Sequence, residues 1–373
     1  VIALGLFASA YSVMDTYLDN AHSDSWLLFS ILLGGYLIDK NRSRTLNMIG
    51  IFFLVLSFWF KQHGALFAIG GVLFLTWRDG WKNSWMYWGL AITLGPVLYI
   101  AAPSSVLGTE FHYYTFVVPR QWTEFSLRTL RRYIGFTLKS YFALALLGGL
   151  TTIFAFFRRK NAANFWFFML PFALLSGLLG ALDPGSNNNV FILMGVWFII
   201  TGVLGLYELT KIPIPIRVWG LYVIIGISYT LFFYNPKSVI VSSNAQEAYR
   251  DMISYLNSLD GPVYAPWIGQ LQDGYVFYPA VHWVPLEDLI RGKGVNEYNH
   301  PTTRKLLEPV INPEGKAYIL MNYPLENDPL LGFLSNNYKL EVDLGNRFSD
   351  LRTLPKRFNL DYPRYLYIYT PEK

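Results

Sequence analysis

The chain has 373 residues, of which 53% are hydrophobic, 18% aromatic and only 15% charged. Roughly a quarter of the residues are charged in a soluble domain, so the composition predicts a membrane protein and not a wholly soluble one. Residues 1–234 carry 16 lysines and arginines against nine acids, whereas residues 235–373 carry 14 against 16. The basic excess therefore belongs to the apolar part, and no basic stripe suggests nucleic-acid binding. The absence of cysteine excludes disulfides, zinc-thiolate sites and cysteine nucleophiles.

Apolar runs of about 13 to 22 residues recur up to residue 234 and then stop. They are residues 1–14, 25–38, 45–60, 65–77, 85–101, 136–157, 165–182, 191–209 and 218–234. Runs of this kind predict a membrane all-α bundle of about nine transmembrane helices over residues 1–234. The remaining residues, 235–373, alternate strand-like and helix-like segments and predict a small soluble α/β domain, mostly three-layered. The predicted strands are residues 238–242, 262–265, 317–321, 340–342 and 365–369, and the predicted helices are residues 245–259, 286–291, 302–310 and 329–334.

The connections between the runs alternate in charge. Ten lysines and arginines lie in residues 39–44, 78–84, 158–160 and 210–217. The positive-inside rule places these connections in the cytoplasm. Residues 15–24, 61–64, 102–135 and 183–190, together with the domain from residue 235, are then extracytoplasmic.

The connection 15–24 holds three carboxylates and an imidazole in ten residues. Ionisable groups at a membrane boundary are costly and count as candidates for function. The spacing of Asp19, His22 and Asp24 allows a single turn to bring the three side chains together. They could then bind a divalent cation such as Mg, Mn or Zn, or a sugar. Alternatively, Asp24 only caps the following helix, where an acid is favourable.

Three further groups are candidate ligands for a lipid-linked phosphate or its sugar. Lys61 and Gln62 lie in a tight turn between two apolar runs; a lysine there either binds phosphate or only snorkels. Arg128, Arg131 and Arg132 lie on a predicted amphipathic interfacial helix, residues 121–135, and bind a polyprenyl phosphate or ordinary anionic headgroups. The last group is Asn187 and Asn188. They either donate hydrogen bonds to the sugar or phosphate, or only form a turn, which asparagine favours.

Three segments carry a resemblance to a known superfamily. They are residues 17–25 (Tyr-Leu-Asp-Asn-Ala-His-Ser-Asp-Ser), residues 57–64 (Ser-Phe-Trp-Phe-Lys-Gln-His-Gly) and residues 185–189 (Gly-Ser-Asn-Asn-Asn). In position and order they resemble outer loops of the GT-C glycosyltransferases, which include the protein mannosyltransferases and the aminoarabinose transferase.

The resemblance implies a multi-pass enzyme of the plasma (inner) membrane that serves cell-envelope glycosylation. Such an enzyme transfers a hexosyl or pentosyl group from a polyprenyl-phosphate donor to a lipid, glycan or protein acceptor, with Asp24 and Asp19 as catalytic carboxylates. Family members carry a catalytic Asp in the first outer loop. By parity the first run is either the first span or the third. The third is favoured, and the chain is then expected to be an N-terminally truncated fragment whose first outer loop, with its Asp, lies upstream, so that Asp24 and Asp19 are donor-site ligands.

Two other classes of function stay open. The first is a transporter or lipid-handling membrane protein whose outer domain captures a ligand, although the charges gather at one face and not at the midplane that transporters use. The second is a protein-interaction module carried on a structural membrane anchor.

Overall fold

A computed structural model describes residues 1–14, 23–40, 43–101, 111–117, 119–120, 123, 125–157, 164–183, 186–211, 216–266, 307–328, 331–353 and 364–370. Contacts divide the chain into two compact units. Unit 1 comprises Val1–Phe111 and Thr123–Tyr234, and unit 2 comprises His112–Trp122 and Asn235–Lys373. Each unit has a hydrophobic core of its own.

Unit 1 is helical throughout its described part. Its helices are α1 (Ile2–Ser9), α2 (Asp24–Lys40), α3 (Arg44–Phe60), α4 (Gly64–Asp79), α5 (Trp81–Ile92), α6 (Leu98–Ala101), α7 (Leu127–Ser140), α8 (Phe142–Phe157), α9 (Phe165–Ala181), α10 (Ile192–Thr210) and α11 (Ile216–Phe232). A π-helical segment, Thr93–Val97, joins α5 to α6, and a 3-10 turn, Asn188–Phe191, leads into α10. The helix is kinked in this segment, where Gly95 has non-helical backbone angles (φ −90°, ψ −105°) and Pro96 has no backbone N–H to continue an α-helix.

Glycines allow the helices of unit 1 to pack closely. Gly34 on α2 faces the backbone of Gly50 on α3, and Gly148 on α8 faces Thr201 and Gly202 on α10. At the start of α4, a side chain at Gly64 would overlap the backbone of Ser57 in α3. This contact closes α3 and α4 into a tight antiparallel hairpin, as the sequence predicts for residues 45–77.

The prediction of about nine transmembrane helices is wrong. Among the described residues, two helical stretches are long and apolar enough to cross a membrane, Trp81–Ala101 with 21 residues and Asn188–Thr210 with 23. A third is added if α7 and α8, which meet at a bend of 97°, count as one broken span. Most of the other helices are too short: 17 residues, as in α3 and α9, extend about 25 Å against a hydrocarbon core of about 30 Å. Two to three possible spans are compatible with association with a membrane.

Unit 2 is built on a four-stranded mixed sheet in the order β1-β2-β4-β3. The strands are β1 (Val263–Tyr264), β2 (Tyr318–Met321), β3 (Tyr338–Asp343) and β4 (Tyr365–Tyr369). β1 pairs with β2 in parallel, whereas β4 runs antiparallel to both β2 and β3.

Alternate residues of β2 face opposite sides of this sheet, as the pleat requires. Tyr318 and Leu320 join a cluster with α12 (Ser243–Asn257), whereas Ile319 and Met321 join a cluster on the other face. All four residues are buried. The sheet is therefore covered on both faces, which agrees with a small layered α/β fold.

The details of unit 2 differ from the sequence prediction in two places. The strand predicted at residues 238–242 is instead the approach to α12, and the Ser242 hydroxyl accepts a hydrogen bond from the Ala245 N–H as the cap of that helix. Of the helix predicted at residues 329–334, residues 332–334 belong to a 3-10 turn, Gly332–Asn336, and residues 329 and 330 lie outside the described part. The helix predicted at residues 286–291 lies outside the described residues.

Candidate functional site

Asp24 is the first residue of α2 and is almost completely buried, with 2% of its surface exposed. An acidic residue in the first turn of a helix interacts favourably with the unpaired N–H groups there. Capping alone does not explain the burial, because removing a carboxylate from water is costly unless it is paired. The partners of Asp24 come from two distant parts of unit 1.

The first partner is Lys61, which follows the last residue of α3. Its Nζ lies 2.8 Å from Asp24 Oδ1, and its side chain is 19% exposed against 2% for Asp24. The tight α3–α4 hairpin fixes this position, since the Lys61 N–H donates to Ser57 O and the Gly64 N–H donates to Lys61 O. Lys61 is partly exposed, and its ammonium has three N–H donors. It therefore pairs with the buried carboxylate and keeps donors on its exposed side.

The second partner is Asn189, in the 3-10 turn that leads into α10. Its Nδ2 donates to Asp24 Oδ2 at 3.2 Å, and Asn189 is itself buried. Both carboxylate oxygens of Asp24 thus accept a hydrogen bond from a side chain far away in sequence. We call Asp24, Lys61, His63 and Asn189 the Asp24 cluster.

His63 belongs to the cluster through the same hairpin turn. A Cβ added at Gly180 would lie 3.0 Å from His63 Cε1 and even closer to Val190, so the imidazole fits into a notch beside α9. His63 is half-buried, with its ring edge against α9. Burial, with a further contribution from the positive charge of Lys61, lowers the pKa of His63 to about 4. His63 is therefore neutral near pH 7.

Arg132 on α7 holds the other end of the segment that carries Asn189. Its Nη1 donates to Ser186 Oγ at 2.9 Å, and its guanidinium lies 5.3 Å from the centroid of the Phe191 ring. The single proton of the Ser186 hydroxyl is in turn shared between the carbonyl oxygens of Asp183, at 2.8 Å, and Gly180, at 3.1 Å. These contacts fix residues 186–191 against α7 and α9, which in turn orients Asn189 toward Asp24.

The other candidate residues are placed less centrally or lie outside the described part. Asp19 and His22 are outside the described residues. Gln62 is exposed in the hairpin turn, and Asn187 and Asn188 are partly buried beside Asn189. Arg128 and Arg131 are exposed on α7. Of the three predicted arginine ligands, only Arg132 points toward the core of unit 1, and the other two point outward.

A metal site is not apparent in the part of the chain that the structure describes. No group of three or more His, Asp or Glu side chains is arranged to hold an ion there. Of the predicted ligands Asp19, His22 and Asp24, only Asp24 is described, and its oxygens contact an ammonium and an amide.

Comparisons with models of protein families, with curated proteins and with solved structures find no match to this chain.

Sequence reasoning missed Asn189 and Ser186 as members of the site. Both lie in the predicted connection 183–190, and a run of three asparagines marks the place. The run does not show which asparagine points inward, because a 3-10 turn sends neighbouring side chains in different directions. The sequence therefore marks the position of this part of the site but does not predict which side chain points into it.

Proposed function

We propose that unit 1 is a membrane glycosyltransferase that uses a polyprenyl-phosphate-linked sugar as its donor. The observation that carries this proposal is the pair of a buried Asp24 and a partly exposed Lys61 at the end of an apolar helical bundle. A buried ion pair is weak evidence for stability. An ionisable pair in such surroundings is by default a candidate for function.

Lys61 is the proposed phosphate ligand. One of its three N–H donors is used by Asp24, and the others are available to oxygen atoms of a phosphate that approaches from the exposed side. Lysine binds phosphate as a point charge. A cation held in place before the donor arrives stabilises the negative charge that develops on the departing phosphate.

Asp24 is proposed to position Lys61. Both of its carboxylate oxygens already accept hydrogen bonds, from Lys61 and from Asn189, and its side chain has almost no access to a substrate hydroxyl. The general base is then another carboxylate, and Asp19, five residues earlier, is the nearest candidate in the sequence.

The proposed reaction is a direct displacement at the anomeric carbon. The acceptor oxygen forms a bond to that carbon, the bond between the carbon and the phosphate oxygen breaks, and the polyprenyl phosphate leaves with the electron pair. The base removes the proton of the acceptor hydroxyl. The atoms and electrons of the reaction balance without an oxidant or a reductant. The acceptor is a lipid, glycan or protein, and the proposed location is the outer face of the plasma membrane, with unit 2 extracytoplasmic.

The test uses the full chain in proteoliposomes supplied with a panel of labelled polyprenyl-phosphate sugars and acceptors. Release of polyprenyl phosphate is measured for the wild type, Lys61→Gln, Asp24→Asn and the control Lys211→Gln. Lys211 also pairs with an acid, Glu208, but both side chains are about half exposed. Size-exclusion chromatography and thermal unfolding show whether each variant is folded.

The expected result is turnover by the wild type and the control, and strong loss in the two folded variants of the pair. Sensitivity to EDTA would indicate a divalent metal. Neither turnover nor donor binding by the wild type over the whole panel would overturn the transferase proposal and favour a transporter or lipid-handling protein. Full turnover by folded Lys61→Gln would remove Lys61 from the site.

A further inference from the structure

Helix α7 meets α8 at an angle of 97°, with the break at Tyr141. α8 contains no charged residue. Its outward side is a continuous stripe of exposed apolar side chains: Phe142, Leu146, Leu150, Ile153, Phe154 and Phe157. Its opposite side packs against α10 through Leu144, Leu147 and Gly148. A helix with such an outward face is suited to hydrocarbon.

The bend gives α7 a definite direction relative to this apolar face. A helix at a right angle to one that inserts along the bilayer normal runs along the bilayer surface. Helices that lie in this interface are amphipathic, with basic residues beside an apolar stripe. The composition of α7 is of this kind, because it has four lysines and arginines and no acid.

One side of α7 packs into the core of unit 1. Thr129 and Phe136 are buried, and the Tyr133 hydroxyl donates to Leu174 O at 3.2 Å. Arg132 also belongs to this inner half through its contacts with Ser186 and Phe191. These contacts fix the rotation of α7 about its own axis.

The other half of α7 is exposed and has two adjacent stripes. The apolar stripe consists of Leu127, Ile134 and Leu138, which are 62%, 44% and 57% exposed. The basic stripe consists of Arg128, Arg131 and Lys139, all exposed. At 100° per residue Arg131 lies next to Leu138, so the two stripes share an edge.

We propose that this exposed half of α7 binds the anionic phospholipids of the bilayer surface. The apolar stripe enters the boundary between headgroups and acyl chains, and the three cations of the basic stripe contact lipid phosphates. Each basic residue near an anionic surface contributes about 1 kcal/mol, or about fivefold in binding. This inference does not depend on the transferase proposal, because it uses none of the residues of the Asp24 cluster.

The absence of cysteine from the sequence makes a local measurement possible. A single cysteine at Leu138→Cys carries a fluorescent donor, and the full chain is reconstituted in phosphatidylcholine with a minor fraction of phosphatidylglycerol. A trace of acyl-labelled phosphatidylglycerol or acyl-labelled phosphatidylcholine is the energy-transfer acceptor. The ratio of the two transfer efficiencies reports the enrichment of anionic lipid beside α7.

The comparison includes three variants of the labelled protein. One removes the basic stripe by the changes R128Q, R131Q and K139Q. A second keeps its charge with R128K and R131K. The matched control removes three exposed cations at other helix ends of unit 1, with R44Q, K82Q and K211Q.

We expect a ratio clearly above one for the wild type, the lysine variant and the control, and a ratio close to one for the variant without the basic stripe. Added salt should lower the wild-type ratio, as it does for an exposed charge interaction. Equal transfer to the two lipids in the wild type would overturn the proposal, as would an undiminished excess without the basic stripe. An excess displaced by a trace of polyprenyl phosphate would also overturn it, and would assign the stripe to the lipid carrier.

Discussion

Lys61 and Asp24 are 37 positions apart in the sequence, yet their charged groups form a hydrogen bond of 2.8 Å at the end of the helical bundle. The carboxylate is buried and the ammonium is partly exposed. The pair is therefore asymmetric, and removing one partner is not equivalent to removing the other.

Replacing Lys61 should destabilise the protein more than replacing Asp24. Lys61→Met leaves a buried carboxylate without its cation, which costs about 3 kcal/mol, whereas Asp24→Asn keeps an acceptor for Lys61 and costs about 1 kcal/mol. The shifts are measured as thermal unfolding midpoints of the full chain in detergent. The double variant should recover part of the loss, and Lys211→Met should show no measurable change. Equal losses in the two single variants would contradict this account.

The hairpin that presents Lys61 should depend on Gly64. Gly64→Ala places a methyl group against the backbone of Ser57 and Phe58, which cannot move away as a flexible side chain can. We expect a loss of several kcal/mol, the size caused by severe overpacking. The control is Gly89→Ala in α5, where nothing lies within 4 Å of the added methyl group. Alanine is the better helix former by about 1 kcal/mol, so this control should be neutral or stabilising. A fully stable Gly64→Ala would show that the hairpin is looser than described.

The sequence predicts part of the site because charge is rare in its apolar half. Asp24 and Lys61 stand out as charged residues at the borders of apolar runs, and both lie in the observed cluster. Asn189 does not stand out from Asn187 and Asn188. Its role depends on the 3-10 turn and on the contacts of Arg132 that hold this turn in place. Such long-range contacts leave no local pattern in the sequence.

The number of spans was overestimated for a related reason. An apolar run indicates burial, either in a protein core or in lipid, and only its length separates the two. Of the described helices, several that match predicted runs have 16 or 17 residues and pack against one another. In unit 2 the sequence predicts the strands β2 and β4, at residues 317–321 and 365–369. The strand predicted at residues 238–242 is wrong, because Ser242 caps the helix that follows.

The stability of unit 1 should depend on the titration of His63. Its pKa is lowered to about 4 in the folded chain from an ordinary value of 6.5. Between these two values the unfolded chain binds a proton that the folded chain does not, so folding stability falls as the pH is lowered from about 6.5 to about 4. The loss is on the order of 2–3 kcal/mol.

This prediction is checked by comparing wild type with His63→Gln, which has no titrating group at this position. The difference between their unfolding midpoints should change over that pH range and stay constant above pH 7. Parallel curves throughout would show that the imidazole is protonated freely in the folded chain. Carboxylates elsewhere affect both proteins equally and cancel in the difference.

In unit 2, Asp343 and Arg364 join the adjacent ends of β3 and β4. Arg364 Nε donates to both carboxylate oxygens, at 3.0 and 3.1 Å, and Nη2 donates to Oδ2 at 2.9 Å. Asp343 also caps the short helix Leu344–Arg347 by accepting from the Gly345 N–H. The Arg364 hydrogen bonds, with a smaller contribution from Gly345, lower the pKa of Asp343 below its usual value of 3.8.

A lowered carboxyl pKa means that this stabilisation is present above pH 3.8 and disappears as the pH falls through the lower folded-state value. At neutral pH, Asp343→Asn should lower stability by about 1 kcal/mol, a value limited by the partial exposure of Arg364. Asparagine keeps the helix cap, so the loss reports the charge pair. Arg364→Lys should cause a similar loss, because lysine cannot form the two-pronged contact. The control is Glu341→Gln on the exposed side of the same strand. If Asp343→Asn and Glu341→Gln unfold alike at pH 7, the Asp343–Arg364 pair does not stabilise the sheet.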